Sequence, residues 1–165
     1  MAKNKEEKTN VMRVLEQKKI AYTAHSYPHE EGVAVDGVTV AKSMGFDPAQ
    51  VFKTLVARGA SGQYYVFDVP VAESLDLKKA ARAVGEKSVE MIKSKELFPL
   101  TGYVHGGCSP LGMKKQFVTV LDESARGQER IVFSAGKIGR QIEVSPADLA
   151  KALKFAFADL TAERK

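Results

Sequence analysis

Lys53 stands in the run Val51-Phe52-Lys53-Thr54-Leu55-Val56-Ala57, in which Val51, Leu55 and Ala57 share its face of a strand while Phe52, Thr54, Val56 and Arg58 share the other. Both faces are largely apolar. A strand apolar on both sides is covered on both sides, so the ammonium group points into the interior or into a pocket. Two readings follow: a lysine whose stem snorkels along apolar neighbours to water, or a cation held in a cleft, where it attracts a phosphate or a developing oxyanion.

A second candidate is the loop from Thr101 to Gly112, which breaks periodicity with four glycines and a proline. Its Gly102-Tyr103-Val104-His105-Gly106-Gly107-Cys108-Ser109-Pro110-Leu111-Gly112 stretch can present bare backbone N–H groups to an anion, or can serve as a ligand-free connector. It is not a Walker A loop, because Met113 follows the second glycine and Lys114 comes one position late. It is not a nucleophile elbow either, since Leu111 stands where that turn needs glycine. His105 and Cys108 could form a base and nucleophile, but no third orienting residue is evident and Cys108 reads as a bystander. His25, His29, His105 and Cys108 match no zinc-ligand spacing, so no metal site is expected. Gly136-Lys137-Ile138-Gly139 has the GxxG pattern of KH domains, yet it joins two strands where a KH loop joins helices. It reads as a hairpin turn with a positive tip. The doublets Lys78-Lys79 and Lys114-Lys115 read as solvated faces.

These residues must be positioned by a chain of 165 residues and 18.0 kDa, enough for one domain with a real core. With 44% hydrophobic and 27% charged residues it is neither disordered nor fibrous. No apolar run approaches the roughly 20 residues of a membrane span, and Met1 to Lys8 carries no export signal, so a cytosolic protein without a membrane partner is expected. The single cysteine suits a reducing compartment. A net charge of +5 permits a nucleic-acid partner without demanding one.

Periodicity predicts a helix from Thr9 or Asn10 to Lys19, a β-like stretch from Ile20 to Tyr27, and a helix over Val38–Met44 closed by Gly45. A hairpin follows, with strands at 51–57 and 63–69 around Gly59-Ala60-Ser61-Gly62. Then come a helix over 76–84, a strand over 88–92 and a short helix over 94–98. Strands at 117–121, 130–134 and 141–144 lead to Ser145-Pro146 and a closing helix whose stripe is Leu149, Leu153 and Phe157. Interleaved strands and helices predict a mixed α/β fold, with a central mixed, barrel-like sheet flanked by helices, spanning residues 9–160. The charged ends, 1–8 and 161–165, are expected to fray.

Together, Val51-Phe52-Lys53-Thr54-Leu55-Val56, Thr101-Gly102-Tyr103, Gly106-Gly107-Cys108-Ser109-Pro110-Leu111-Gly112-Met113-Lys114-Lys115 and Ser134-Ala135-Gly136-Lys137 resemble the YbaK/EbsC family. These are aminoacyl-tRNA editing domains related to the insertion domain of prolyl-tRNA synthetase, and the likeness covers nearly the whole chain. The resemblance implies a trans-acting, cofactor-free deacylase that removes cysteine from Cys-tRNA(Pro), and in some members from Cys-tRNA(Cys). It implies as partners the acceptor end of aminoacylated tRNA and prolyl-tRNA synthetase, with no DNA. It implies Lys53 and Gly106 as the catalytic positions, with Tyr27, Thr101, Gly102, Gly107, Ser109, Ser134, Gly136 and Lys137 around the substrate. The substrate's own thiol would then attack the ester, leaving the enzyme to position it. One departure stands out: members often carry an aromatic residue where this chain has Val35-Asp36. A sister activity on alanyl-tRNA and a non-catalytic tRNA- or synthetase-binding module are the alternatives.

Overall fold

The computed structural model of the protein describes residues 8–162. Of the two charged ends, residues 1–7 and 163–165 lie outside the described residues; Lys8 pairs with Glu16 at 2.7 Å, and Thr161 bridges Leu75. Helix α1 (Asn10–Gln17) begins where the Thr9 hydroxyl accepts the Met12 N–H, and it buries Val11, Met12 and Leu15. Helix α2 (Gly37–Ser43) is capped by Asp36, and α3 (Leu77–Val84) by Asp76. Helix α4 (Ser94–Thr101) runs on to Thr101 and ends at Gly102, which takes φ +85°.

Two sheets form the framework. The smaller is antiparallel, in the order β1 (Thr23–Ser26), β7 (Arg140–Val144), β6 (Ile131–Lys137). The larger is mixed: β4 (Val89–Met91), β2 (Phe52–Gly59), β3 (Tyr64–Pro70), β5 (Val118–Asp122) and β8 (Ala156–Ala158), with β3–β5 and β5–β8 parallel. A parallel bridge between Val51 and Val132 links the two sheets without closing a barrel. The expected mixed α/β fold with a barrel-like sheet is thus present. The strand that carries Lys53 is covered on both faces. Phe52 and Val56 join the core beneath α1 and the small sheet, while Leu55 and Ala57 pack with Phe67, Val69 and the alanines of α3. Among the described residues no helix is long and apolar enough to cross a membrane.

The end of the chain departs from the periodicity. The expected closing helix is only α5 (Pro146–Leu149) plus a turn ending at Leu153, and Phe157 lies in β8, opposite Leu121 of β5. The i, i+4 stripe Leu149, Leu153, Phe157 is a local pattern. Pairing the outer edge of β5 satisfies a row of backbone groups that a longer helix would leave open. The β6–β7 turn is also shorter than expected, because β6 continues through Lys137 and an irregularity between Ser134 and Lys137 absorbs the extra residues.

Asp122 fastens the segment that follows β8. Its buried carboxylate accepts the N–H of Leu160 at 2.9 Å and of Ser124 at 3.1 Å. Asp122→Ala strips both donors of their partner and is expected to cost about 2 kcal/mol. Urea denaturation should show a lower midpoint, and an unchanged midpoint would contradict this account.

Candidate active site

Strand β4 covers β2 only at Ala57–Gly59, with one further bond from the Ile92 N–H to the Val56 carbonyl. Toward the start of the strand the same edge carries only the isolated Val51–Val132 bridge, and beside the uncovered stretch lies a cavity of about 370 Å³. The cavity straddles the strand edge, so Lys53 and Thr54, which point to opposite faces, both line it. The segment carrying Tyr27 and Ala34 to Gly37 closes one side, and His105, Gly106 and Cys108 of the glycine loop close another. Ser134 of β6 and Gln141 of β7 complete the wall.

Lys53 is half-buried, and burial lowers its pKa from the usual lysine value, with the Asp36 carboxylate pulling the other way. An ammonium held against desolvation gives up its proton more readily than a surface lysine does. Gly106 takes φ +90°, and a Cβ there would stand 2.7 Å from the Ala34 Cβ, so only glycine lets the loop meet the Tyr27–Gly37 segment. The Gly106 N–H has no partner among the described residues, whereas the Gly107 N–H donates to the Val104 carbonyl at 2.9 Å. Gln141 is buried, and its Oε1 has no hydrogen-bond partner among the described residues.

Cys108 is 8% exposed, and burial, then the neighbouring Asp68 carboxyl, pushes its thiol up to about 12. It carries almost no thiolate at neutral pH. No pocket hydroxyl is hydrogen-bonded to a histidine among the described residues. The lining therefore offers a cation, a backbone donor and polar acceptors, with no activated nucleophile. Among the described residues no group of three histidine, cysteine or acidic side chains could hold a metal; His25 pairs instead with Glu143 at 2.8 Å.

Residues 32–152 match the family described as the aminoacyl-tRNA editing domain. The chain belongs to that family. A relative from Enterococcus faecalis, described as "Putative Cys-tRNA(Pro)/Cys-tRNA(Cys) deacylase EbsC", is 44% identical over 162 residues, 98% of each chain. The crystal structure of "a putative trans-editing enzyme for prolyl tRNA synthetase" superposes with TM-score 0.81 at 26% identity, over 93% of this chain and 96% of that one. A hypothetical protein of known structure aligns with TM-score 0.82 over 93% of this chain and 99% of its own, and at 21% identity it speaks for the fold alone.

Within this editing domain the sequence-expected residues separate into two groups. Lys53, Gly106, Tyr27 and Ser134 meet at the cavity. The others shape its surroundings. Thr101 donates to the Leu97 carbonyl and accepts the Tyr103 N–H, and Gly102 ends α4. Gly107 lets the loop approach the backbone of Lys137 and Ile138. Ser109 is fully buried, with its hydroxyl accepting the Leu111 N–H, and Gly136 gives its N–H to the Ser134 hydroxyl. Lys137 is exposed at the turn. Val35 and Asp36, where members of the family often carry an aromatic residue, line the cavity. The structure adds Thr54, Asp68 and Gln141 to the residues at or behind this cavity. Asp68 sits in a strand apolar on both faces, the same signal that drew attention to Lys53.

Proposed function

We propose that this chain is a trans-acting deacylase that removes cysteine from Cys-tRNA(Pro), and from Cys-tRNA(Cys) where it meets it, by using the thiol of the substrate. The single observation that carries this reading is a pocket with an inward ammonium and a glycine N–H that has no partner among the described residues, but a resident thiol held protonated. The likeness to the Enterococcus relative described as a deacylase and to the trans-editing structure supports it.

In the proposed step the cysteinyl sulfur attacks its own ester carbonyl. A carbon–sulfur bond forms and the carbon–oxygen bond to the ribose breaks; the departing ribose oxygen takes a proton from Lys53, and the proton lost by the thiol restores the ammonium by way of solvent. The products are free tRNA and a cyclic thioester, which water then opens. Lys53 stands by the leaving oxygen as cation and proton donor, and the Gly106 N–H meets the oxyanion. The pocket walls hold sulfur and carbonyl in a reactive conformer. Recognition is directed to the acceptor end, and prolyl-tRNA synthetase is the proposed partner that presents the mischarged tRNA.

The test is a deacylation panel of cysteinyl-, seryl- and alanyl-tRNA(Pro) with the wild type and Cys108→Ala. Cysteine should be cleared fastest, because a hydroxyl is a far weaker nucleophile than a thiol, and Cys108→Ala should stay within about threefold of the wild type. Loss of activity in Cys108→Ala would assign attack to the enzyme, preference for alanine would assign the sister editing activity, and tight tRNA binding without any release would leave a binding module.

A further inference from the structure

Strands β2 and β3 place Thr54 and Asp68 directly opposite each other, on the face that carries Phe52 and Val56. Thr54 lines the cavity and Asp68 lies behind it, only 2% exposed. The Thr54 hydroxyl donates to Asp68 Oδ1 at 2.5 Å, while Asp68 Oδ2 has no hydrogen-bond partner among the described residues. From the glycine loop the neighbour is the protonated thiol of Cys108, and on β5 the register partner is the apolar Leu121. A carboxyl cut off from water with one partner is costly to the fold. Its position is explained by what it does to Thr54.

A hydroxyl has one proton to give. Once that proton is committed to Asp68, the Thr54 oxygen can offer the cavity only lone pairs. We infer that Asp68 is a positioning residue: by holding the Thr54 proton it presents the Thr54 oxygen as an acceptor for the S–H of the cysteinyl group, aiming the sulfur at the carbonyl. This rests on the deacylase reading above.

The experiment is a double-mutant cycle of Asp68→Val and Thr54→Val, with Asp68→Asn alongside, assayed on cysteinyl-tRNA(Pro) by steady-state kinetics. Each valine variant should lower kcat about tenfold, the loss of one well-placed hydrogen bond, with KM within about twofold. The double variant should be no worse than either single one. Asp68→Asn, whose amide oxygen still accepts the Thr54 proton and whose shape is unchanged, should retain more activity than Asp68→Val. Thermal unfolding and near-ultraviolet circular dichroism establish that each variant is folded. Additive losses, a rise in KM alone, or an Asp68→Asn as impaired as Asp68→Val would overturn the inference while an active wild type keeps the deacylase reading intact. A wild type inert on cysteinyl-tRNA would sink the deacylase reading, and this inference with it.

Discussion

Replacing Lys53 with alanine is expected to lower kcat/KM for cysteinyl-tRNA(Pro) by a factor of about 10²–10³, as removal of one preorganised electrostatic group from a sheltered site does. Its ammonium is the cation that β2 turns into the cavity, and it is held there half-buried at the stretch of strand edge that β4 leaves uncovered. Lys53→Arg should recover little, because a planar guanidinium on a longer stem cannot place a point charge where the ammonium stood. The fold should survive both changes, since the alanine removes a charge that burial disfavours. Release of labelled cysteine from charged tRNA, followed for the three proteins at equal concentration, checks the prediction. If the alanine variant kept more than a tenth of wild-type activity, the proposed chemistry would lose its cation.

The second large effect is on stability and has the opposite sign. Burial raises the Asp68 carboxyl from an ordinary 3.8 to about 7, with the Thr54 hydrogen bond opposing the shift. Below pH 4 both folded and unfolded chains hold this proton, so the group contributes nothing to pH dependence. Between about 4 and 7 the unfolded chain loses the proton while the folded one keeps it, and stability falls as pH rises; above 7 the full loss, about 4 kcal/mol, persists. Asp68→Val removes that loss along with one hydrogen bond worth about 1 kcal/mol. Its Tm should exceed the wild-type value by several degrees at pH 8, and the gain should vanish near pH 4. Calorimetric scans at the two pH values check this, and an Asp68→Val protein less stable than the wild type at pH 8 would refute it. A variant that gains stability while losing kcat would display the exchange of stability for positioning that the Thr54–Asp68 pair embodies.

Much of the candidate site was legible in the chain itself. Lys53 announced itself as a charge inside a strand apolar on both faces, and the run from Gly102 to Gly112 as a loop with too many glycines for a mere connection. The Gly45 and Gly85 stops and the β2–β3 hairpin were equally readable, because helix stops and turns depend on a few adjacent residues, whereas the Asp36 cap of α2 came only with the structure. Asp68 carries the same signal as Lys53, a charge inside a strand apolar on both faces. Thr54 and Gln141 carried none, since a threonine or glutamine in a strand is ordinary until a cavity opens beside it.

The order of residues alone determined the types of most elements, the inward turn of one lysine and the resemblance to the editing family, since alternation, capping and glycine placement are properties of short stretches. Only the tertiary structure decided that Phe157 closes a sheet edge instead of a helix, that the Gly106 amide has no partner among the described residues while that of Gly107 is engaged, and that Cys108 is silenced beside Asp68. Edge pairing, burial and the electrostatics of a cavity are set by segments distant in the chain, whose meeting no local pattern records.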